Sequence, residues 1–465
     1  MELLIPLDSQ SKKSLYEQIY GHICREIREG SLTAGERLPS TRMLAEHLKV
    51  SRSTTQMAYD QLLAEGYIEA RPYRGYFVSQ LDGLFDAIPE SRQQMRREEP
   101  EGEGYLVDFS PRGIDLDSFP YNVWRKISRS TLVDDNREMF HAGSPQGEPG
   151  LREAIRGYLH TARGVKCSVE QIIVGAGNEY LLMLLAQILG SQRRIAMENP
   201  TYRQAYLVFC SLGYPVFPTE MDENGMNPEQ LKASGADVAY VMPSHQFPTG
   251  IVMPVGRRQE LLRWAEDGPD RYLIEDDYDS EFRYRGKPVP ALQGMDRSGR
   301  VIYLGTFSKC IAPAIRVSYM VLPPQLVERY QAQAGFYAST VSRIDQNILY
   351  QFLSQGYFER HLNRMRAIYK AKHDALLEAA SPLETAFQIR GEYAGIHILL
   401  TSREGRREEE LISLAAEAGV KVYGLSRCDI GAKREMETST VILGYASLTE
   451  SQIRMGAELL TSCWI

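Results

Sequence analysis

Cysteine is sparse and unpatterned in this chain. The six cysteines, Cys24, Cys167, Cys210, Cys310, Cys428 and Cys463, show no C-x-x-C spacing. That excludes a zinc site or a disulfide framework and points to a reducing compartment, the cytoplasm. Cys310, next to Lys309, reads as a small packed residue. Apolar runs of about 18 residues are also missing, so no membrane-spanning helix is expected. The N-terminus, MELLIPLDSQSKKS, has no basic segment followed by a long apolar stretch, so a secretory leader is not expected. Basic charge is not in excess either. The net charge is −7, and residues 1–80 hold ten Lys/Arg against ten Asp/Glu. Any contact with nucleic acid must therefore come from local placement rather than bulk charge. What remains is globular in composition, and 465 residues exceed one ordinary core, so two or more domains are expected.

The first eighty residues read as three helices and a hairpin. Leu15, Ile19, Ile23 and Ile27 recur at helical spacing over 14–30, which ends at a glycine. Ser40 is placed to cap a second helix over 41–48, and Ser51 a third running to residue 65. Two short helices joined by a tight turn form a helix-turn-helix, whose second helix enters the major groove. That helix begins Ser51-Arg52-Ser53-Thr54-Thr55-Gln56, a set of donors at an anion-favouring helix N-terminus. Strands over 66–70 and 75–78 then flank the tip Arg71-Pro72-Tyr73-Arg74, a β-wing. The pattern LPSTRxLAxxLxVSRxTxxxAYxxLxxEGY resembles the GntR-type winged-helix regulators. The resemblance implies a double-stranded DNA operator as partner. It implies phosphate contacts from Arg42, Ser51 and Arg52, base readout near Ser53, Thr54 and Gln56, and a wing contact through Arg74 and Gly75.

Residues 80–104 carry dense mixed charge, proline and glycine, with little to bury. They read as a flexible tether between a DNA-binding domain, 1–79, and a larger domain, 105–465. From Tyr105 onward, apolar runs alternate with helical periods, the mark of an α/β domain with a mainly parallel sheet. Several strand ends carry chemistry. A strand over 171–174 runs into the glycine turn Gly175-Ala176-Gly177-Asn178 at a helix start, a phosphate cradle. After the strand at 194–197 comes Tyr202, placed to stack on a flat ring. The strand at 238–242 leads to SHQFPTG, where His245 reads as a structural histidine. The run Tyr272-Leu273-Ile274 leads to Glu275-Asp276-Asp277-Tyr278. Acids there need a cation, and a protonated pyridine nitrogen supplies one. The stretch VIYLGTFSKCIAPAIR (301–316) sets Lys309 at a strand end beside Thr306 and Ser308 and within reach of Arg316. A lysine so placed forms Schiff bases, while hydroxyls and a guanidinium hold a phosphate.

This ordered series resembles the fold-type I pyridoxal-phosphate aminotransferases over roughly 105–465. That implies a mainly parallel sheet with helices on both faces, a small C-terminal α+β subdomain, a subunit-interface site and hence a homodimer. It implies pyridoxal 5'-phosphate bound through Lys309. Asp276 then faces the ring nitrogen, Tyr278 the phenolic oxygen and Tyr202 the ring. Ala176, Gly177, Asn178, Thr306, Ser308 and Arg316 surround the phosphate, and Arg427 meets an effector carboxylate. Two departures weaken transamination. Phe247 stands where aminotransferases carry an asparagine, and the Asp276–Tyr278 spacing is one residue short. Winged helix, tether and aminotransferase-like domain together resemble the MocR subfamily of GntR regulators. The motifs SHQFPTG, IEDDYDSEF and GTFSK are similar to its GABA-responsive members, although Gln204 replaces a second arginine. The implied function is transcriptional control by a domain that senses an amino compound through aldimine exchange at Lys309, with weak or no turnover. GABA-like compounds, amino acids, D-amino acids or dipeptides, and pyridoxal phosphate itself are the candidate effectors. The alternative is an active aminotransferase with an accessory DNA-binding head.

Overall fold

The computed structural model describes residues 5–8, 13–28, 30–72, 74–80, 104–132, 137–284, 289–391, 394–431 and 438–465. Apart from its two end residues, the tether expected over 80–104 lies outside the described residues, as does Tyr73 at the wing tip. The chain divides into two compact units, Met1–Glu101 and Gly102–Ile465. Among the described residues, no helix is long and apolar enough to cross a membrane.

The first unit holds α1 (Leu15–Arg28), α2 (Thr41–Leu48) and α3 (Arg52–Ala64), then β1 (Ile68–Arg71) and β2 (Gly75–Val78). Both expected caps form. Ser40 Oγ accepts from the Met43 amide, and Ser51 Oγ from the Thr54 amide at 3.1 Å. Such caps satisfy amides that the helix start leaves unpaired. Ile19, Ile23, Leu44, Ala58, Tyr59 and Leu62 form the core. The helix-turn-helix angle is fixed by side chains as well as packing. Thr55 Oγ1 donates to the Thr41 carbonyl at 2.8 Å, and Tyr59 Oη to the Pro39 carbonyl at 2.9 Å. The antiparallel pair β1–β2 completes the wing.

In the second unit, an eight-stranded sheet runs Ile172–Gly175, Ser318–Val321, Val301–Thr306, Tyr272–Asp277, Val238–Val241, Ile195–Asn199, Val216–Asp222, Gly225–Met226. The five strands from Val301–Thr306 to Val216–Asp222 are parallel, while Ser318–Val321 runs against both neighbours. Most of these strands are buried along their length, as expected where helices cover both faces. Leu182, Leu185, Ile274, Leu304 and Met320 pack on one face, and Ile155, Leu159, Tyr303, Tyr319 and Leu349 on the other. A four-stranded antiparallel sheet, Phe387–Arg390, His397–Ser402, Thr440–Gly444 and Tyr423–Gly424, builds the smaller lobe. Its core includes Ile398 with Val441 and Leu443 of the neighbouring strand, together with Trp464 of the last helix.

Candidate functional site

The acids at 275–277 end the strand Tyr272–Asp277 as its last three residues, and all are buried. Strand alternation sends them to opposite faces. Glu275 and Asp277 share one face. Glu275 accepts from the Leu292 and Gln293 amides at 2.7 and 2.8 Å. Asp277 Oδ2 is paired with Arg163 at 2.8 Å and accepts from Tyr303 Oη at 2.6 Å. Asp276 alone faces the other way, accepting from Asn178 Nδ2 at 3.0 Å and from Tyr240 Oη. Burial pushes its carboxyl up to about 6, against the pull of those two donors. An acid so placed gains most from a cationic partner, and a protonated ring nitrogen meets that need.

Lys309 is half-buried just beyond the strand Val301–Thr306. Its amine donates to the carbonyls of Arg112, at 3.1 Å, and Pro111, at 3.4 Å. Burial lowers its pKa to about 8; Asp279 pulls the other way, and the Arg112 charge adds to the lowering. At neutral pH a usable fraction of this amine is therefore the neutral nucleophile.

The expected phosphate residues surround the start of the helix Asn178–Leu189. Arg316 Nη2 reaches the Ala176 carbonyl at 3.4 Å and Glu179 at 3.0 Å. Gly177 has φ 100°, and a Cβ there would lie 2.3 Å from Arg316 Nη2. Only glycine permits that approach. Thr306 Oγ1 accepts from the Ser308 amide at 3.1 Å and from Ser318 Oγ at 2.9 Å. The Ala176 amide donates to Thr340 Oγ1 at 3.1 Å. A guanidinium, hydroxyls and a helix N-terminus bounded by a cleft that a single methyl would fill fit a phosphate group.

Tyr202, half-buried, stands edge-on to Phe247 with ring centres 6.4 Å apart. Tyr278 Oη is bonded to His245 Nδ1 at 3.0 Å, and that nitrogen lies 2.9 Å from Asp279 Oδ2. His245 is thus joined to the site rather than being an isolated structural histidine, and Asp279 and Tyr240 join it too. The alternation of acids through DYDS was the available signal for Asp279. Arg427 is exposed, in the turn Leu425–Cys428, with its guanidinium 5.7 Å from the Tyr423 ring centre.

In the first unit Arg42 is paired with Glu46 at 3.1 Å, and Gln56 donates to Asp60 at 2.8 Å. Ser51 Oγ bonds both Ser53 Oγ and Thr54 Oγ1 at 2.7 Å. Arg52, Ser53, Arg74 and Gly75 are exposed.

Residues 15–78 match the family described as bacterial regulatory proteins of the gntR family, and 115–460 match aminotransferase class I and II. The HTH-type transcriptional regulator YhdI of Bacillus subtilis is 40% identical over 466 residues, spanning 100% of this chain and 98% of the relative. The chain belongs to this family of GntR-type, MocR-like transcriptional regulators. The probable rhizopine catabolism regulatory protein MocR of Rhizobium meliloti is 33% identical, covering 99% of this chain and 96% of its own. The pyridoxine biosynthesis regulator PdxR of Corynebacterium glutamicum is 30% identical over 97% and 96%. Among solved structures, a multiple substrate aminotransferase from Thermococcus profundus has a TM-score of 0.68 at 26% identity, covering 78% of this chain and 92% of its own. The regulator thus joins a DNA-binding winged helix to an aminotransferase fold.

Proposed function

We propose that this regulator binds pyridoxal phosphate through Lys309 and senses an amino compound that competes with Lys309 for it. The division is taken as a DNA-binding domain, 1–79, a tether, 80–104, and an effector domain, 105–465. The observation that carries the proposal is the Lys309 amine, with a pKa near 8, on the same sheet end as the Gly177–Arg316 cleft and the lone-facing Asp276. When bound, pyridoxal phosphate supplies an aldehyde that condenses with primary amines and a ring that withdraws electrons. Arg316, Thr306, Ser308, Ala176, Gly177 and Asn178 would then hold the phosphate. Asp276 would pair with the ring nitrogen, Tyr202 would cover the ring and Tyr278 would meet the phenolic oxygen. Arg427 binds the effector's carboxylate. Arg42, Ser51, Arg52 and Arg74, with Gly75 at the wing, meet operator phosphates, while Ser53, Thr54 and Gln56 read bases. The protein acts in the cytoplasm as a homodimer.

Slow chemistry suits a sensor, because the bound amine must persist to be read out. Phe247 has no hydrogen-bonding group to offer a phenolic oxygen, and Tyr278 is engaged by His245. The test is spectroscopic and kinetic. The wild-type protein purified with pyridoxal phosphate should be yellow, and Lys309→Ala should lose that colour. A suitable amino acid should shift the spectrum and alter operator affinity, with turnover well below about 1 per second. Colour retained in Lys309→Ala sinks the proposal. Turnover at ordinary enzymatic rates would favour the aminotransferase alternative.

A further inference from the structure

Three arginines stand at the mouth of the Lys309 site without an ion-pair partner among the described residues. The end of the turn Leu425–Cys428 and the two residues after it are stitched by three bonds to Asn199, which ends the strand Ile195–Asn199, and to Thr201. The Thr201 amide donates to the Cys428 carbonyl at 2.9 Å, Asn199 Nδ2 to Asp429 at 2.6 Å, and the Ile430 amide to Asn199 Oδ1 at 2.9 Å. These bonds join the segment just after Arg427 to the one just ahead of Arg203, the first residue of the helix Arg203–Ser211. Arg112 enters from a third direction, with its carbonyl on the Lys309 amine at 3.1 Å. The charges of all three arginines reach Cys428, opposed there by that of Glu408, and the charge of Arg112 also reaches Lys309 and Tyr202.

All three are exposed, and among the described residues none has an ion-pair or hydrogen-bond partner for its guanidinium. The nearby acids are already engaged. Glu408 accepts from the Ser426 amide and hydroxyl at 3.0 and 2.5 Å. Asp429 accepts from Asn199 at 2.6 Å and from the Gly431 amide at 3.0 Å. Several other arginines of the unit are paired, as Arg163 is with Asp277, Arg193 with Asp270 and Arg257 with Asp222. Converging like charges raise the local potential for anions. One carboxylate satisfies one guanidinium bidentately and leaves the others unmet.

We infer that Arg112 and Arg203 extend the Arg427 site into a composite anion-binding mouth, selecting an amino compound that carries two anionic groups. Arg427 takes the first group, and Arg112 with Arg203 the second. The inference rests on the proposal that Lys309 exchanges amines, but the anion mouth can be tested apart from it.

Binding to the full-length protein reconstituted with pyridoxal phosphate would be measured by calorimetry for L-glutamate against L-glutamine. The amine-free pair glutarate and glutaramate would be measured in parallel. Glutamate and glutarate should each bind about 10-fold or more tighter than their monoamides, the scale of one charge-assisted contact. Arg203→Gln should erase most of that preference while leaving glutamine affinity unchanged, and Arg112→Gln, whose charge also reaches Lys309, should erase it for the amine-free pair while leaving glutaramate affinity unchanged. Arg427→Gln should weaken both members of each pair. A phosphonate analogue of glutamate that binds still tighter would assign the second group to a phosphonate. Equal affinity for dianion and monoamide in the wild type, or a uniform loss in Arg112→Gln, overturns the inference. Amines that exchange without charge preference overturn the mouth alone. A glutarate preference without amine exchange keeps the mouth and removes the Lys309 proposal.

Discussion

Tyr278 Oη lies 3.0 Å from His245 Nδ1, and the same nitrogen lies 2.9 Å from Asp279 Oδ2. Burial, reinforced by the Asp279 charge, holds the Tyr278 hydroxyl well above its ordinary range, so it stays a donor. Asp279 also raises the pKa of Lys309, opposing the effect of burial. Replacing Asp279 by Asn removes that support, so the Lys309 amine should titrate below about 8 and react faster at pH 7. Mass-spectrometric rates of Lys309 reductive methylation against pH, on protein freed of cofactor, would report the midpoint. An unmoved midpoint would show that the Asp279 charge does not reach the amine.

Gly177→Ala should damage the phosphate cleft without unfolding the sheet. The new Cβ would sit 2.3 Å from Arg316 Nη2, at a φ of 100° that strains any side-chain-bearing residue. Pyridoxal phosphate affinity should fall about 10-fold or more, the loss of roughly one charge-assisted contact. Fluorescence titration would measure it, and unchanged affinity would place the phosphate elsewhere.

Glu281→Gln should alter stability in a pH-dependent way. Burial, aided by the Asp277 charge, pushes the Glu281 carboxyl up to about 7 from 4.5, although Tyr158 donates to it at 2.7 Å. Between those values the folded state binds more protons than the unfolded one, so this group's contribution to stability falls as pH rises. Glutamine keeps an acceptor for Tyr158 and cannot ionise. The variant should gain stability over wild type through that window and level off above it, by about 1–2 kcal/mol once partial solvent access is allowed for. Denaturant melts from pH 4.5 to 8 would reveal a flat difference if Glu281 does not titrate there.

Arg52→Ala should weaken operator binding and lower the salt slope by about one, as for one lost phosphate contact. Arg52 opens α3, and its side chain is exposed. Binding isotherms at several salt concentrations would check it. An unchanged slope would remove this side chain from the DNA contact.

The winged helix was legible because its signals are local. Ser40 and Ser51 announce their caps within three residues, while the first wing strand, read as starting at Gly66, starts at Ile68 because Gly66 turns the chain at φ 78°. The strand ends of the large unit were legible for the same reason, since apolar runs stop where Gly175, Tyr202 and Lys309 begin their turns. The hidden part depends on distance along the chain. Arg112 meets Lys309 across 197 residues, and Thr340 meets Ala176 across 164, so no local pattern connects them. His245 read as structural because a lone histidine carries no spacing signal. Its role follows only once the strand Tyr272–Asp277 sets Tyr278 and Asp279 opposite it. That these acids end a buried strand was legible, but not which face each takes, because Arg163, the Leu292 and Gln293 amides and Asn178, which receive them, lie far along the chain.

The two-sided disposition of those acids makes the segment a poor place for insertions or deletions. Tyr272–Asp277 pairs in register with Val301–Thr306 on one side and Val238–Val241 on the other. Loss of one residue ahead of Glu275 would rotate every following side chain to the opposite face. The acid that meets Asn178 would then lie among Arg163 and Tyr303, and Asp277 would be turned away from its guanidinium. In descendants of this gene, length changes should accumulate in surface loops and be purged from these six positions, even where single substitutions survive.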